Sequence, residues 1–567
     1  MEFIQKKTMD RAVEYFLPKA SEMEISLTWD RFEGQLPECG FCETGLSCRD
    51  CLQGPCISHP FRDSNKAGIC GKERETLATQ SLLRLVLKGT MVYLDRLSEF
   101  AKEMESRQWR PKNKPRTDQM LKTIQSFFYD GGMVKKELPK NWIRPWEEAK
   151  IFPEGMVRDL FRASQKLEGG FAENEETLLW IFKSSLLALI SERLYGELKR
   201  SAMGITTPTW IEVNLGVLDT QKPNLLLYGY LSPLLKQKVA QEAQKESIQV
   251  LCVGTYPLIP SFSFPTVTNY GSQEIPLMTG AVDLIVASDQ GVNPSIMEIA
   301  KAYEVPIFSV DDLKRSKDLG HLAKEIIGEV KKSHEFRKRF PRDIPPIKES
   351  AVIGFSKDKI LWKKILKALD QGQIRGVAFL FGSGNVKFSQ DHEITTFAKE
   401  FLRNDILCLS KGESSIALAK YGFLNPKSRE EFCGKGVLEF LKGVGEEVPS
   451  VIDVDEVEFI DFILEKPKEE KKAFPMVACF PEANRSSEVV EAIAMVALGI
   501  NTYFWPALPI TGSQKAMEAL TTFCQKKLGS SFYIPMEKKM EARSKATMVL
   551  KALTGQEGYG ISGKPWR

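Results

Sequence analysis

The sequence has no long apolar run and little net charge. Across 567 residues the formal charge is +4, which in a chain of this size gives no reason to expect a nucleic-acid or membrane partner. No apolar stretch approaches the roughly 18 residues that a membrane span needs. Residues 1–10 also lack the apolar core of a secretory signal peptide. The sequence therefore predicts a cytoplasmic protein.

Cysteine is the residue that stands out. The chain has eleven cysteines, and six of them fall close together near its start: Cys39, Cys42, Cys48, Cys51, Cys56 and Cys70. Because the cytoplasm keeps thiols reduced, such a group favours metal ligation over disulfides. The glycines between these cysteines allow the close backbone approach and N–H donation that iron–sulfur clusters use. A zinc ribbon is the alternative, although its paired knuckles do not account for the spacing of Cys56 and Cys70.

The rest of the chain alternates between two textures. It is too long for one core, and apolar residues at helical spacing in 77–103 and 175–199 predict a helical first third. Strands alternating with helices then predict parallel sheets, with strands at 224–231, 248–256, 282–288, 305–310, 377–381, 405–409, 476–480 and 502–505. A charged insertion at 465–472 is expected to be a solvated loop. The sequence predicts an α/β protein with a helical iron–sulfur domain (1–221) and two Rossmann-like α/β domains (222–348 and 349–567).

The cysteine motif resembles one family closely. Thr-Trp-Asp-Arg at 28–31, Cys-Gly-Phe-Cys at 39–42, Gly-Pro-Cys at 54–56 and Gly-Ile-Cys-Gly at 68–71 are similar to segments of the anaerobic nickel–iron carbon monoxide dehydrogenases, which are related to the hybrid-cluster proteins. The likeness continues in order through residues 82–84, 152–170, 214–218, 279–283 and 497–500, so it spans essentially the whole chain.

The resemblance implies two iron–sulfur clusters. In the family, four cysteines at the positions of Cys48, Cys51, Cys56 and Cys70 hold one [4Fe–4S] cluster in each subunit. A preceding pair, here Cys39 and Cys42, meets its symmetry mates across the axis of a homodimer. Some members place the second of these ligands where this chain has Ser47. Whether the shared cluster is [4Fe–4S] or [2Fe–2S] is therefore left open.

The family's nickel–iron–sulfur active site does not carry over in the same way. It uses one histidine and five cysteines, and four of these ligand positions fall on Tyr230, Gly291, Ser383 and Glu413. The loop of the last ligand, around residues 450–474, offers no cysteine, and Cys252 lies only near a ligand position. Histidines and a lysine that move protons in the family fall on Tyr93, Arg96 and Ser487. None of the four histidines of the chain, His59, His321, His334 and His392, lies at a mapped position.

Three functions remain open from the sequence. The resemblance implies an iron–sulfur electron-transfer homodimer with relay clusters but without the nickel–iron–sulfur cluster, and we expect no nickel. Its redox partner would be a ferredoxin or an associated oxidoreductase subunit. The alternative is an oxidoreductase, either a divergent carbon monoxide dehydrogenase or an enzyme with a rebuilt cluster on Glu413, Cys252 and Cys479 that acts on a small molecule such as hydroxylamine. A structural metal in an interaction subunit is the third, so enzymatic activity is not decided. Cys408, Cys433, Cys479 and Cys524 are otherwise expected to be core residues.

Overall fold

The chain divides into two compact units. The computed structural model describes residues 6–59, 66–106, 109–168, 174–309, 318–338, 341–357, 362–465, 474–535 and 540–555. Unit 1 comprises Met1–Leu36, Ile205–Ile374 and Leu380–Glu456, and unit 2 comprises Pro37–Gly204, Arg375–Phe379 and Val457–Arg567. The division into three domains at residues 221 and 348 stays a prediction.

The strands are short and mostly buried. In chain order they are β1 (Ser47–Cys48), β2 (Cys56–Ile57), β3 (Thr209–Val213), β4 (Asn224–Tyr228), β5 (Gln249–Val253), β6 (Leu258–Ile259), β7 (Phe262–Ser263), β8 (Thr266–Thr268), β9 (Leu284–Ala287), β10 (Ile307–Phe308), β11 (Glu349–Ile353), β12 (Gly376–Leu380), β13 (Ile406–Ser410), β14 (Val451–Asp453), β15 (Met476–Phe480), β16 (Asn501–Phe504) and β17 (Phe532–Tyr533).

The helices range from single turns to spans of about 30 residues. In chain order they are α1 (Arg11–Glu14), α2 (Phe16–Glu22), α3 (Thr28–Glu33), α4 (Gly40–Glu43), α5 (Arg74–Glu105), α6 (Lys114–Tyr129), α7 (Lys140–Glu148), α8 (Met156–Gln165), α9 (Asn174–Met203), α10 (Pro233–Lys245), α11 (Ile275–Met278), α12 (Ser295–Ala302), α13 (Leu319–Arg337), α14 (Trp362–Asp370), α15 (His392–Arg403), α16 (Gly412–Ala419), α17 (Arg429–Phe432), α18 (Lys435–Val444), α19 (Glu456–Leu464), α20 (Ser486–Ala497), α21 (Gln514–Phe523) and α22 (Ala542–Thr554).

Unit 1 is built around a sheet with strand order β10-β9-β4-β5-β8-β3-β11. The central strand β4 runs parallel to both β5 and β9, and all of its residues are buried. Because successive side chains of a strand point to opposite faces, β4 contributes to two cores. Leu226 and Tyr228 belong to one core, whereas Leu225 and Leu227 belong to the other. A central parallel strand therefore reads as a continuous apolar run, without alternation.

The helices of unit 1 begin as the sequence indicates. Ser232 precedes α10, and its hydroxyl accepts a hydrogen bond from the Leu234 N–H, with Pro233 in the first turn. This combination satisfies one donor of the helix start and fixes the backbone direction there. Helix α10 packs against α13. A second parallel pair, β13 with β14, also belongs to unit 1.

Unit 2 is mainly helical. Helices α5, α9 and α20 pack against one another, and α9 buries side chains around most of its circumference. Gly89 lies where α5 meets the start of α20, and a Cβ there would collide with the carbonyl of Ser486. Strands β15, β16 and β17 are parallel, and the Val377 N–H at the start of β12 donates to the Pro475 carbonyl at 2.9 Å.

The predicted fold class is confirmed. A helical N-terminal region precedes parallel sheets whose strands alternate with helices. The predicted strands at 224–231, 248–256 and 282–288 correspond to β4, β5 and β9, each shorter than expected. The predicted strand at 305–310 corresponds to β10, with residue 310 outside the described residues, as is the predicted loop from 466 onward. Among the helices that the structure describes, none is long and apolar enough to cross a membrane.

Candidate cysteine loop and strand-end site

The six clustered cysteines share one segment of unit 2, which we call the cysteine loop (residues 39–59 and 66–72). Strands β1 and β2 form its antiparallel hairpin, in which Cys48 lies directly opposite Cys56. Gly54 fills the turn between them. A Cβ on Gly54 would lie within 3.6 Å of the carbonyl oxygens of both Cys48 and Cys51. The turn therefore draws the backbone of three cysteines together.

The end of the loop returns to the same place. The Ile69 N–H donates to Cys56 Sγ at 3.4 Å, and a Cβ on Gly68 would lie 3.7 Å from that sulfur. This brings the turn that carries Cys70 to Cys56. Backbone N–H groups aimed at ligand sulfurs are a feature of iron–sulfur sites. The backbone positions of Cys48, Cys51, Cys56 and Cys70 therefore fit an iron–sulfur cluster.

The thiol groups of these cysteines are not arranged as a set of metal ligands, although the backbone brings the residues together. Within the described ranges, no three His, Cys, Asp or Glu side chains stand close enough to hold one metal ion. Cys51 and Cys70 are exposed, so rotation about their Cα–Cβ bonds is not blocked by packing. Backbone placement is the part of such a site that folding must supply, because thiol rotamers adjust on ligation.

The outer pair, Cys39 and Cys42, is exposed. Cys39 stands at the N-cap of α4, where its carbonyl accepts from the Cys42 N–H at 3.0 Å. Hydrogen bonds from the backbone and the thiol of Cys42 lower the pKa of the Cys39 thiol below its usual value. Next along the loop, Gly45 lies against Pro509, where a Cβ would collide with the proline carbonyl. The pair is thus presented on a loop that is anchored within unit 2.

Three charged residues, two within the cysteine loop and one on α5, were not found by sequence reasoning. Asp50 lies with Oδ2 3.3 Å from Cys48 Sγ, and it pairs with Lys72 and Arg84. Burial alone would raise the pKa of the Asp50 carboxyl, but Arg84, Cys48 and Lys72 lower it below its usual value. Burial raises the pKa of the Cys48 thiol; a hydrogen bond from the Asp50 backbone opposes this rise and the Asp50 carboxylate adds to it. The signal in the sequence that could have pointed to Asp50 was its position between the motif cysteines Cys48 and Cys51.

Four mapped active-site positions, Tyr230, Gly291, Ser383 and Glu413, lie in unit 1 together with Gly254, and we call these five residues the strand-end site. Each residue follows the carboxyl end of a strand: β4, β5, β9, β12 and β13 in that order. A Cβ on Gly254 would lie 3.6 Å from Glu413 Oε1 and 3.6 Å from the Gly291 carbonyl oxygen. The Tyr230 N–H donates to the carbonyl of Gln290 at 3.0 Å. Carboxyl ends of parallel strands are the usual place for ligand sites.

Two consecutive residues, Tyr270 and Gly271, contact several of these strand ends. The Tyr270 N–H donates to Glu413 Oε2 at 2.7 Å, and the Tyr270 hydroxyl donates to Asn293 Oδ1 at 2.6 Å. Gly271, the next residue, is so close to the turn after Ser383 that a Cβ would lie 2.7 Å from the Cα of Gly384. The backbone at the mapped positions therefore converges in space, and the side-chain groups linked there are the Glu413 carboxylate, the Tyr270 hydroxyl and the Asn293 amide.

A buried network of charged side chains contacts Asn269, the residue just before these two. Asn269, which precedes Tyr270, donates to Asp391 Oδ1 at 2.8 Å. Lys420 Nζ lies 2.6 Å from Asp391 and 3.1 Å from Asp10, and all three side chains are buried. Burial raises the pKa of Asp391. Burial alone would lower the pKa of Lys420, but the two carboxylates reverse this and raise it above its usual value.

A second buried carboxylate fixes the helix that carries Glu413. Asp453 accepts hydrogen bonds from the Tyr256 hydroxyl at 2.8 Å, from the Gly354 N–H at 2.8 Å and from the hydroxyl of Ser415, two residues after Glu413. Burial raises the pKa of Asp453 to about 7, against the effect of these donors. Sequence reasoning did not find Asp453, because its partners come from separate segments.

The strand-end site does not fit the nickel–iron–sulfur cluster of the resemblance. Iron and nickel in such a cluster are held by thiolates and imidazole, whereas the mapped positions carry Tyr230, Gly291, Ser383 and Glu413. Cys252 is fully buried in β5 and belongs to an apolar core. Burial raises the pKa of its thiol to about 11. Its position is that of a packing residue.

The mapped proton-transfer positions also meet, within unit 2. The Tyr93 hydroxyl donates to Glu491 Oε1 at 2.6 Å and lies 3.5 Å from the Ser487 carbonyl oxygen. The Arg96 guanidinium lies 5.8 Å from the centre of the Tyr93 ring. Burial raises the pKa of Tyr93 well above its usual value. Two segments that are far apart in the sequence are thus adjacent as the resemblance implies, but they carry neither histidine nor lysine.

The remaining cysteines are dispersed. Cys408, Cys479 and Cys524 are buried and Cys433 is partly buried. Burial raises the pKa of Cys433 to about 11 and that of Cys524 to about 12. Thiols with raised pKa values in apolar surroundings behave as small core residues.

Comparisons with known proteins agree with the geometry. The model of the Prismane/CO dehydrogenase family matches residues 46–128 and 113–539. The chain is 27% identical to carbon monoxide dehydrogenase 2 of Carboxydothermus hydrogenoformans, with 99% of each chain covered, and 23% identical to the carbon monoxide dehydrogenase of Rhodospirillum rubrum, with 94% and 95% covered. The solved structure of carbon monoxide dehydrogenase IV from C. hydrogenoformans is 25% identical, with a TM-score of 0.89 over 97% of this chain and 99% of that one. The chain belongs to the Prismane/CO dehydrogenase family, as the cysteine motif predicted.

Proposed function

We propose that the protein is an iron–sulfur electron-transfer homodimer, in which relay clusters are present and a nickel–iron–sulfur active site is absent. One contrast supports this proposal. The backbone of the cysteine loop suits cluster ligation, whereas the strand-end site presents hard oxygen groups where soft thiolates and imidazole are required. Family membership supports the iron–sulfur chemistry, and the residue types at the strand-end site support the absence of the catalytic cluster.

In this proposal, Cys48, Cys51, Cys56 and Cys70 hold one [4Fe–4S] cluster in each subunit. Such a cluster supplies one-electron transfer when bound. The protein's own part is to hold four cysteines on one hairpin and turn, and to direct the Ile69 N–H at the sulfur of Cys56. A hydrogen bond to a ligand sulfur spreads its negative charge and raises the reduction potential.

Cys39 and Cys42 would hold a second cluster together with the same pair from a second copy of the chain. Both thiols are exposed, as sharing across a subunit interface requires. Exposed apolar side chains follow on the same loop, with Leu52, Ile57 and Ile69 all more than 40% exposed. A two-fold interface would cover such residues on both copies at once. The shared cluster would be [4Fe–4S] or [2Fe–2S], and electrons would pass to a ferredoxin or an associated oxidoreductase subunit.

Metal analysis of anaerobically purified protein tests the proposal. We expect iron at the level of the relay clusters, no stoichiometric nickel after supplementation with nickel, and no zinc. We also expect no carbon monoxide oxidation with a viologen acceptor, while the clusters reduce and reoxidise reversibly. Carbon monoxide turnover above the metal-only background would overturn the absence of the catalytic cluster. Zinc in place of iron would overturn the electron-transfer function.

The shared cluster has its own test. The double variant Cys39→Ser/Cys42→Ser should lose the iron of one cluster per dimer and should shift the dimer toward monomer in sedimentation, while the cluster within each subunit remains. Cys433→Ala serves as a matched control, because this thiol lies outside the cysteine loop. Retention of all iron by a monomeric protein would contradict the assignment.

One observation favours a second candidate function. Glu413, a possible oxygen ligand, meets the mapped positions, and its charge acts on the thiol of Cys252. A rebuilt cluster with Glu413 among its ligands would make the protein an oxidoreductase for a small molecule such as hydroxylamine. It predicts additional iron per protomer that the variant Glu413→Gln loses. Identical iron content in the wild type and in Glu413→Gln would exclude this function.

A further inference from the structure

A compact group of charges surrounds one cysteine of the cysteine loop. Asp50 Oδ2 lies 3.3 Å from Cys48 Sγ, and Lys72 Nζ lies 3.3 Å from the same oxygen. Arg84 donates to the other oxygen, Oδ1, at 2.6 Å. Lys72 also donates to the carbonyl of Leu167 at 3.2 Å. The group therefore ties the hairpin of the cysteine loop to α5 and to the segment just after α8.

The placement of these charges is costly as a purely structural device. The side chain of Lys72 is 9% exposed and that of Asp50 is 12% exposed, whereas that of Arg84 is 41% exposed. Taking charges out of water cancels much of what an ion pair gains, so a buried pair is weak evidence for stability. What distinguishes this group is its position, since both cations reach the carboxylate that touches a candidate ligand sulfur.

The charge on Cys48 must change when it binds iron. A thiolate, not a thiol, is the ligand, so Cys48 carries negative charge when it binds iron. A thiolate and a carboxylate at this distance repel each other, and Lys72 and Arg84 offset that repulsion. Reduction then adds a further negative charge to the cluster. Nearby cations favour the reduced state, and a nearby anion favours the oxidised state.

We propose that Asp50, Lys72 and Arg84 act together as positioning residues that set the reduction potential of the cluster held by Cys48, Cys51, Cys56 and Cys70. This inference rests on the proposed function, because it requires that cluster. Lys72 is held in place by two acceptors, Asp50 and the Leu167 carbonyl, and the latter lies at the negative end of a helix. Arg84 is the more exposed cation, and its removal leaves Lys72 to pair with Asp50.

Redox titration of the full-length dimer, monitored by electron paramagnetic resonance, tests the proposal. Arg84→Met should lower the potential, because a cation that favours the reduced state is gone. Asp50→Asn should raise it, because an anion is gone. We expect each change to be about tenfold in the ratio of reduced to oxidised cluster at fixed potential, or ~59 mV for a one-electron couple. The double variant Asp50→Asn/Arg84→Met should return close to the wild type, and Arg84→Lys should behave as the wild type does.

Opposite shifts are the part that a structural role would not produce. Arg144→Met, which removes an exposed ion pair with Glu148 in the same unit, is the control and should leave the potential unchanged. Iron content is measured in parallel. Wild-type iron content together with one common potential in all variants would overturn this inference and leave the proposed function intact. Wild-type protein without the cluster would overturn both.

Discussion

The cysteine loop and the strand-end site differ in the side chains that they place on tight backbone turns. In the cysteine loop, the backbone turns are tight and the thiols that could bind a metal are present, four of the six of them exposed. At the strand-end site, the backbone is equally tight, as the contacts of Gly229, Gly254 and Gly271 indicate. There, however, the Glu413 carboxylate accepts a hydrogen bond from the Tyr270 N–H, the Tyr270 hydroxyl donates to Asn293, and Asp453 holds Ser415 on the helix that carries Glu413.

This difference shows that the backbone geometry of a site and the side chains placed on it can vary independently. The carboxyl ends of parallel strands bring their turns to one edge of the sheet, whether or not those turns carry metal ligands. Metal ligation depends on the few side chains placed on those turns. The four predictions below separate a loop that needs a cluster from a site that buried charge and hydrogen bonds already hold.

Cys51→Ala should have the largest effect. Removing one of four ligands should abolish the low-potential paramagnetic signal of the subunit's own cluster and destabilise the helical region, because metal binding and folding are coupled. Electron paramagnetic resonance and iron content measure the loss, and thermal unfolding measures the stability. Cys433→Ala should leave the paramagnetic signal and the iron content unchanged. A full-strength signal in Cys51→Ala would show that the cysteine loop is not the cluster site.

Lys420→Met should be the most destabilising change near the strand-end site. It leaves the carboxylates of Asp391 and Asp10 buried without their cation, which costs about 3–5 kcal/mol. Chemical denaturation at neutral pH measures this loss of stability. The control is Lys427→Met, which removes an exposed lysine seven residues further along the chain. If Lys420→Met unfolds at the same denaturant concentration as the wild type, the ion network does not support the Asn269–Tyr270 loop.

Asp453 predicts a pH-dependent stability. Its folded pKa is raised to about 7, so the folded state keeps a proton that the unfolded state loses near pH 4. Stability is therefore highest below about pH 4 with respect to this group and falls as pH rises to about 7, by up to about 4 kcal/mol. Unfolding measured between pH 5 and pH 8 should show a shallower pH slope in Asp453→Asn. Asp370→Asn, an exposed carboxylate, should retain the wild-type slope.

Gly229→Ala should have the smallest effect of the four. Gly229 has a φ of 68°, and a Cβ there would collide with the Gln290 carbonyl. We expect a loss of about 1–3 kcal/mol. Gly328 lies inside α13 with open space around it, so Gly328→Ala should instead stabilise by about 0.5–1 kcal/mol. Equal stability of the two variants would mean that the turn at Gly229 accepts a Cβ without strain.

Sequence patterns were most reliable where one residue type carried the signal. The run of β4 and the Ser-Pro start of α10 were predictable because each depends on neighbours in the chain. Asp50, Lys72 and Arg84 were not predictable as a group, since the partners come from three segments and charged residues are common. Asp453 was missed for the same reason, because its donors Tyr256, Gly354 and Ser415 are distant in the sequence.

The sequence by itself determined the family, the α/β class and the six cysteines, because spacing, periodicity and residue type are local properties. Only the tertiary structure decided what surrounds those residues. It placed Ile69 against Cys56, Glu413 against Tyr270, and Tyr93 beside Ser487 and Glu491. It also buried Asp453 and Lys420. Burial, charge compensation and the direction of a hydrogen bond arise from segments that meet only after folding, so no reading along the chain could supply them.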